Sequence, residues 1–158
     1  MSDTVAIATV LLTLHILAAV VWVGGMFFAL VALRPASLQL QPQARLELWS
    51  GVLGRFFGWV IAAIALLLVT GYGMVFGVFA GFSGIGRHVH IMQGIGIIMM
   101  LLFFHLYFAP WRRFRSALAR QDHAVAAVQL NQIRWIVTVN LLLGLLTVAV
   151  GSSGRYWG

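Results

Sequence analysis

Residues 5–33 read VAIATVLLTLHILAAVVWVGGMFFALVAL, a run broken only by two threonines, one histidine and two glycines. A helix needs about 20 apolar residues to cross the hydrocarbon core of a bilayer, and this run is longer. A cleaved leader would have a basic start and an apolar run of about 7–15 residues. The preceding Met1-Ser2-Asp3-Thr4 contains no basic residue. The segment therefore reads as a retained first span that stops at Arg34-Pro35.

The rest of the chain repeats this character. Of 158 residues, 62% are hydrophobic and 8% charged. A soluble domain carries about 25% charged residues, so this chain cannot cover a water-facing surface. Disorder is excluded on the same grounds. Further spans are expected at about 55–80, 88–110 and 134–151, giving a single all-α domain of four transmembrane helices over residues 1–158. The runs are apolar all round, and the short alternating segments of a membrane barrel are absent.

Charge fixes the expected orientation. All ten basic residues are arginines. Arg34, Arg45, Arg55, Arg112, Arg113, Arg115, Arg120 and Arg134 flank the connections after spans 1 and 3, whereas Arg87 and Arg155 lie at the opposite end. The positive-inside rule places both termini outside, in a multi-pass protein of a bacterial inner membrane. This excess of positive charge is a topology signal, and nucleic acid is not an expected partner. The stretches at 43–50 and 124–133 lack Gly and Pro and favour helix, so spans 2 and 4 are expected to begin before the membrane. Asp122 is placed to cap the latter. The Gly-rich loop at 81–86 is short and predicts spans 2 and 3 as antiparallel neighbours.

The chemistry-bearing residues are few. There is no cysteine, hence no thiolate metal site and no cysteine nucleophile. The acids are Asp3, Asp122 and Glu47, too few for a carboxylate proton relay. Histidine inside a membrane is a functional candidate, and His15, His88, His90 and His105 all fall in or at spans. His123 reads as a solvated loop residue. His15 precedes Arg34 by 19 residues and His90 precedes Pro110 by 20, heights of about 28 and 30 Å above the arginine-rich boundary. Two imidazoles at one depth on different helices suit a bis-histidine haem b, whose iron takes one ligand on each face. No Cys-x-x-Cys-His is present for covalent attachment.

On this reading His15 and His90 are the ligands. Arg87 and Arg155 are available to haem propionates, and Trp22 shares the face of His15. His88 is the alternate to His90. His105 lies about 20 Å lower than His15 and reads as a histidine bonded to a neighbouring helix, with Met26 as its only conceivable metal partner. Met74 and Met92 stand near the upper level, and a His/Met set suits soft Cu(I). Thr70 and Asn140 read as inter-helix hydrogen bonders.

Three motifs resemble a known group. Leu14 to Gly25 (LHILAAVVWVGG), Arg55-Phe56-Phe57 leading to Thr70-Gly71, and Phe104-His105-Leu106-Tyr107 are similar to helices of CopD-like and HemJ-like bacterial membrane proteins. The resemblance implies four inner-membrane helices. For CopD-like proteins it implies copper uptake and resistance. For HemJ-like ones it implies a haem-b protoporphyrinogen oxidase with His15 as a haem ligand. At the start of the third span those groups favour lysine, where this chain has His88, His90 and Met92. In the last span HemJ-like proteins carry Asn-Glu, where this chain has Asn140-Leu141.

The leading expectation is a small b-type cytochrome, a membrane oxidoreductase exchanging electrons with a quinone or another redox partner at the outer face. The alternatives are a CopD-like copper transport or resistance protein, a HemJ-like oxidase and a cofactor-free subunit of a larger complex. A bundle this small can also pair with a second copy. The topology is testable by a fusion at Gly158. A reporter that works only outside the cytoplasm should be active there, and activity of a cytoplasmic reporter would overturn the orientation.

Overall fold

The computed structural model describes residues 2–79 and 81–157, the side chains of residues 2 and 155 excepted. Helix α1 (Ser2–Phe27) passes into a π-helical turn (Phe28–Leu33) and a short α2 (Arg34–Ser37). Helix α3 covers Pro42–Gly77, α4 Arg87–Phe108, α5 Pro110–Ala119 and α6 His123–Ser153. Short 3-10 turns occupy Phe82–Gly84 and Gly154–Tyr156. Four stretches, Asp3–Ser37, Pro42–Gly77, Arg87–Ala119 and His123–Ser153, are long and apolar enough to cross a membrane. No strand occurs among the described residues. The chain is thus an all-α, multi-pass membrane protein, as the sequence predicts.

Arg34-Pro35 does not stop the first helix. The Arg34 N–H bonds to the Ala29 carbonyl, five residues back. A proline ring clashes with the carbonyl four residues earlier in a regular helix, and the wider π-turn relieves that conflict. Helix α3 runs unbroken from Pro42 and α6 from His123, so the polar stretches at 43–50 and 124–133 are the first turns of spans. The Asp122 carboxylate accepts from the Val125 N–H at 3.0 Å, capping α6.

One helix was not expected. At Ala109 the backbone leaves the helical region (φ −111°, ψ −83°), and Pro110 starts α5. Its Trp111, Phe114 and Ala117 recur at every third position and are buried, while Arg112, Arg113 and Arg115 on the other side are exposed. The connection after span 3 is therefore an amphipathic helix folded onto α6.

The helix pairing also differs from the expected order. The closely packed pairs are α1 with α3 and α4 with α6, and α6 is the most buried of the four spans. Helices α3 and α4, although joined by the short loop, meet through large side chains. The Phe57 ring lies edge-on to Phe103 and Trp111, with centroids 5.6 and 5.2 Å apart. Trp22 closes the same cluster edge-on to Phe103 at 6.3 Å. Without a hydrophobic drive between helices in lipid, such shape-matched contacts supply the cohesion. The loop between them needs Gly81, which takes φ +101°, a conformation that glycine adopts without a Cβ penalty.

Helix α6 is approached closely by both α1 and α4 at Gly144. A Cβ built there would stand 2.9 Å from Val23 Cγ2 and 3.2 Å from Met99 Cε. Gly94 on α4 has no such neighbour within 4 Å and is exposed. Gly144→Leu should therefore lower stability by about 1–3 kcal/mol through overpacking, whereas Gly94→Leu should change it by less than about 0.5 kcal/mol. Unfolding of both variants in detergent checks this, and equal effects would refute the packing at Gly144.

Candidate functional site

The end of the bundle away from the arginine-rich connections holds His15, His88, His90, Met74 and Met92. The three histidines have different environments.

His15 is half-buried on α1 and faces α3. Its Nδ1 lies 2.8 Å from the Thr70 Oγ1. Its ring rests on Gly71, where a Cβ would come 3.3 Å from Cε1. The adjacent Thr70 and Gly71 thus act together, one holding the ring and the other making room for it. The Thr70 hydroxyl donates to the Leu66 carbonyl at 2.6 Å. A hydroxyl has a single proton, so with that proton committed to Leu66 the His15 Nδ1–H must be the donor to Thr70. The lone pair of the neutral imidazole is then on Nε2. This is the arrangement of a metal-ligating histidine, which donates its other N–H to a fixed acceptor.

His90 is exposed, and its ring stacks on Phe82 of the 3-10 turn at 6.3 Å between centroids. His88 is half-buried on the other side of α4 and packs against Gly154 after α6. Met92 is half-buried against Gly151 of α6. Arg87, the first residue of α4, is exposed. The side chain of Arg155 lies outside the described residues. The neighbours of His15 are thus on α3, those of His90 in the turn, and those of His88 and Met92 at the end of α6. Among the described residues no three His, Cys, Asp or Glu side chains gather to hold one metal ion.

The lower candidates separate as well. Trp22 is buried in the aromatic cluster against Phe103. Met26 is buried in the core while His105 is exposed, so these two do not form a pair. The expected hydrogen bond of His105 to another helix is not what the structure displays, because its ring is turned outward. His123 is the first residue of α6, half-buried beside a cavity of about 290 Å³ that Glu47 also lines. It is not the solvated loop residue that the sequence suggests.

Two inter-helix bonds were legible in the sequence and others were not. Thr70 serves α1, and the Asn140 Nδ2 donates to the Met99 carbonyl on α4 at 3.1 Å. One of the others, Gln93 Nε2 to the Tyr72 hydroxyl at 3.1 Å, ties α4 to α3 two residues beyond Thr70. Its signal is faint, because Gln and Tyr near a membrane surface equally suit the interface.

A family model described as "Copper resistance protein D" matches residues 50–153. The match begins in α3, so it takes in Thr70 and leaves out α1 with His15. A protein of Aquifex aeolicus (strain VF5), described as an uncharacterized protein, is 32% identical over 142 residues, covering 89% of this chain and 90% of its own length. No solved structure matches the chain.

The His15–Thr70 geometry predicts a tautomer. Thr70→Val removes the acceptor for Nδ1–H while keeping the side-chain shape, and Thr70→Ser keeps it. Nitrogen chemical shifts of a histidine-labelled sample should report one tautomer, protonated at Nδ1, in the native and Ser forms, and a mixture in the Val form. The stability loss should be small, about 0.6 kcal/mol for such a bond in a membrane. An unchanged His15 signal in Thr70→Val would overturn the assignment.

Proposed function

Because this chain belongs to the copper resistance protein D (CopD) family, we propose that it is a multi-pass membrane protein that handles copper, with His15 supplying a ligand near the outer face. The observation that carries the residue-level reading is the 2.8 Å contact of His15 Nδ1 with a Thr70 hydroxyl that itself donates to Leu66, from which we infer an Nδ1–H and a lone pair on Nε2 for coordination. The metal in this reading is cargo, taken as Cu(I), which prefers imidazole and thioether ligands. Met74, Met92 and His88 belong to the same end of the bundle and supply that chemistry. The dispersal of these groups suits a passing ion, since conduction needs binding weak enough to release. A closed cage of three or four ligands would retain it.

The haem reading uses the same free Nε2 of His15, with His90 on the second face and a redox function to follow. What favours copper over it is the family, together with the position of His90, exposed and stacked on Phe82. In either case both termini are taken to lie outside, with the arginine-rich connections in the cytoplasm.

The experiment is a competition titration of purified protein with a chromogenic Cu(I) chelator, alongside a visible spectrum. Native protein should withdraw Cu(I) from the chelator, and His15→Ala should weaken that withdrawal by about tenfold or more. His105→Ala, on the exposed face, should leave it unchanged. Equal binding by native protein and His15→Ala would overturn the role of His15. A sharp Soret band in purified protein would replace copper with haem as the ligand of this site.

A further inference from the structure

Helix α5 buries Trp111, Phe114 and Ala117 on one face and carries its arginines on two flanks. At about 100° per residue, Arg112, Ser116 and Arg120 follow one another along the first flank, with Arg113 beside them. Arg115 falls on the second flank, where its guanidinium lies 5.9 Å from the Trp111 ring. The first flank faces a cavity of about 490 Å³. Its walls are Arg112, Arg113 and Ser116 of α5, Arg120 at the end of that helix, and Val125 and Gln129 of α6. All three arginines are exposed, so the cavity presents them to an incoming ligand.

The lining holds three cations and no acid. Two acids belong to this end of the bundle. The Asp122 carboxylate caps α6 by accepting from the Val125 N–H. Glu47 lines the other cavity, beside His123, which holds no arginine. Like charges one turn apart on a helix repel, and an anion in the cavity would relieve that repulsion. Arg120 Nη1 donates to the Ser116 Oγ at 3.0 Å, which directs that guanidinium along the flank and leaves the Ser116 proton to donate. Three forked cations and a hydroxyl around one cavity suit a phosphate oxyanion, which accepts several hydrogen bonds at once. Arg134, at the same end, takes no part. Its guanidinium lies over the Trp49 ring at 4.8 Å, and two of its nitrogens are covered by the protein.

The size and level of the cavity indicate what carries the phosphate. Its volume falls among ligand pockets, about 300–1,000 Å³, and is far larger than a bare phosphate needs. Arg112 stands four residues beyond Phe108, the last residue of α4, which is 62% exposed. On α6, Val128 stands three residues after Val125 and is 65% exposed. Outward apolar side chains next to arginines mark the level at which hydrocarbon gives way to headgroups. Basic pockets between membrane helices on the positive side take anionic headgroups. We propose that Arg112, Arg113 and Arg120, with Ser116, bind the phosphate of an anionic phospholipid headgroup in the cavity between α5 and α6.

This site is independent of the copper reading. The test uses the full chain, purified in neutral detergent and stripped of lipid. Phosphatidylglycerol, phosphatidylcholine and inorganic phosphate are titrated in separately, with native mass spectra and melting temperature as readouts. Phosphatidylglycerol should bind and raise the melting temperature, and phosphatidylcholine should do neither. Arg112→Gln and Arg113→Gln should each weaken phosphatidylglycerol binding by about fivefold, and the double variant Arg113→Gln, Arg120→Gln by more than tenfold. Because these side chains are exposed, the lipid-free melting temperature of each variant should match the native one. Arg115→Gln, on the other flank of α5, and Arg34→Gln, an exposed arginine at the same end of the bundle, should leave binding unchanged. Equal losses from those two variants would show a general charge effect and overturn the site, as would unchanged binding in the double variant. Equal protection by inorganic phosphate at the same concentration would overturn the lipid as the carrier of the phosphate.

Discussion

In hydrocarbon every polar group must find its partner within the protein, and that constraint orders the whole molecule. The backbone meets it by helix. Most hydroxyls meet it by bonding back to their own helix, as Thr9, Thr13, Thr138 and Thr147 do to carbonyls four residues earlier. Only a few polar side chains remain to reach across. His15 joins Thr70, Gln93 joins Tyr72, Asn140 reaches the Met99 carbonyl, and Trp49 reaches Ser37. These four bonds fall at the histidine-bearing end, the middle and the arginine-rich end. They set the register of one helix against another more sharply than apolar packing alone can.

The two ends of the bundle are built differently. Toward the arginines, Phe57, Phe103, Trp111 and Phe114 fill the interior edge-on and tilted, and α5 closes over them. Toward the opposite end the glycines at 71, 151 and 154 receive His15, Met92 and His88. Ring packing gives a rigid floor. Histidine and methionine here lie directly against glycine, at distances where a Cβ would crowd them.

Much of this was legible in the sequence. Span number and type follow from apolar length, and the cap at Asp122 from its position before a helix-forming stretch. Thr70 was legible as a cross-helix bonder, though not as the partner of His15, because residues 55 apart give no sequence signal of contact. Helix α5 escaped because its three exposed arginines read as loop charges. Its apolar residues at every third position were the available sign. Arg134 was counted only toward topology, since nothing in the sequence reveals that Trp49 lies beneath it. The pairing of α3 with α4 was misjudged because a short loop fixes how near two helix ends are, and not how closely their axes pack.

The separation of the two ends bears on how function can be divided. His15 and Arg134 are held by unrelated partners, one by Thr70 on α3 and the other by Trp49 on the same helix, 21 residues earlier. Helix α3 is therefore the common element. It receives the His15-bearing face of α1 near its end and the cation of α6 near its start. A rotation of α3 would disturb both contacts at once, whereas a change in either partner alone would leave the other bond intact. Helix α3, packed mainly on α1, thus links the two ends of the bundle, while α6 packs on α4.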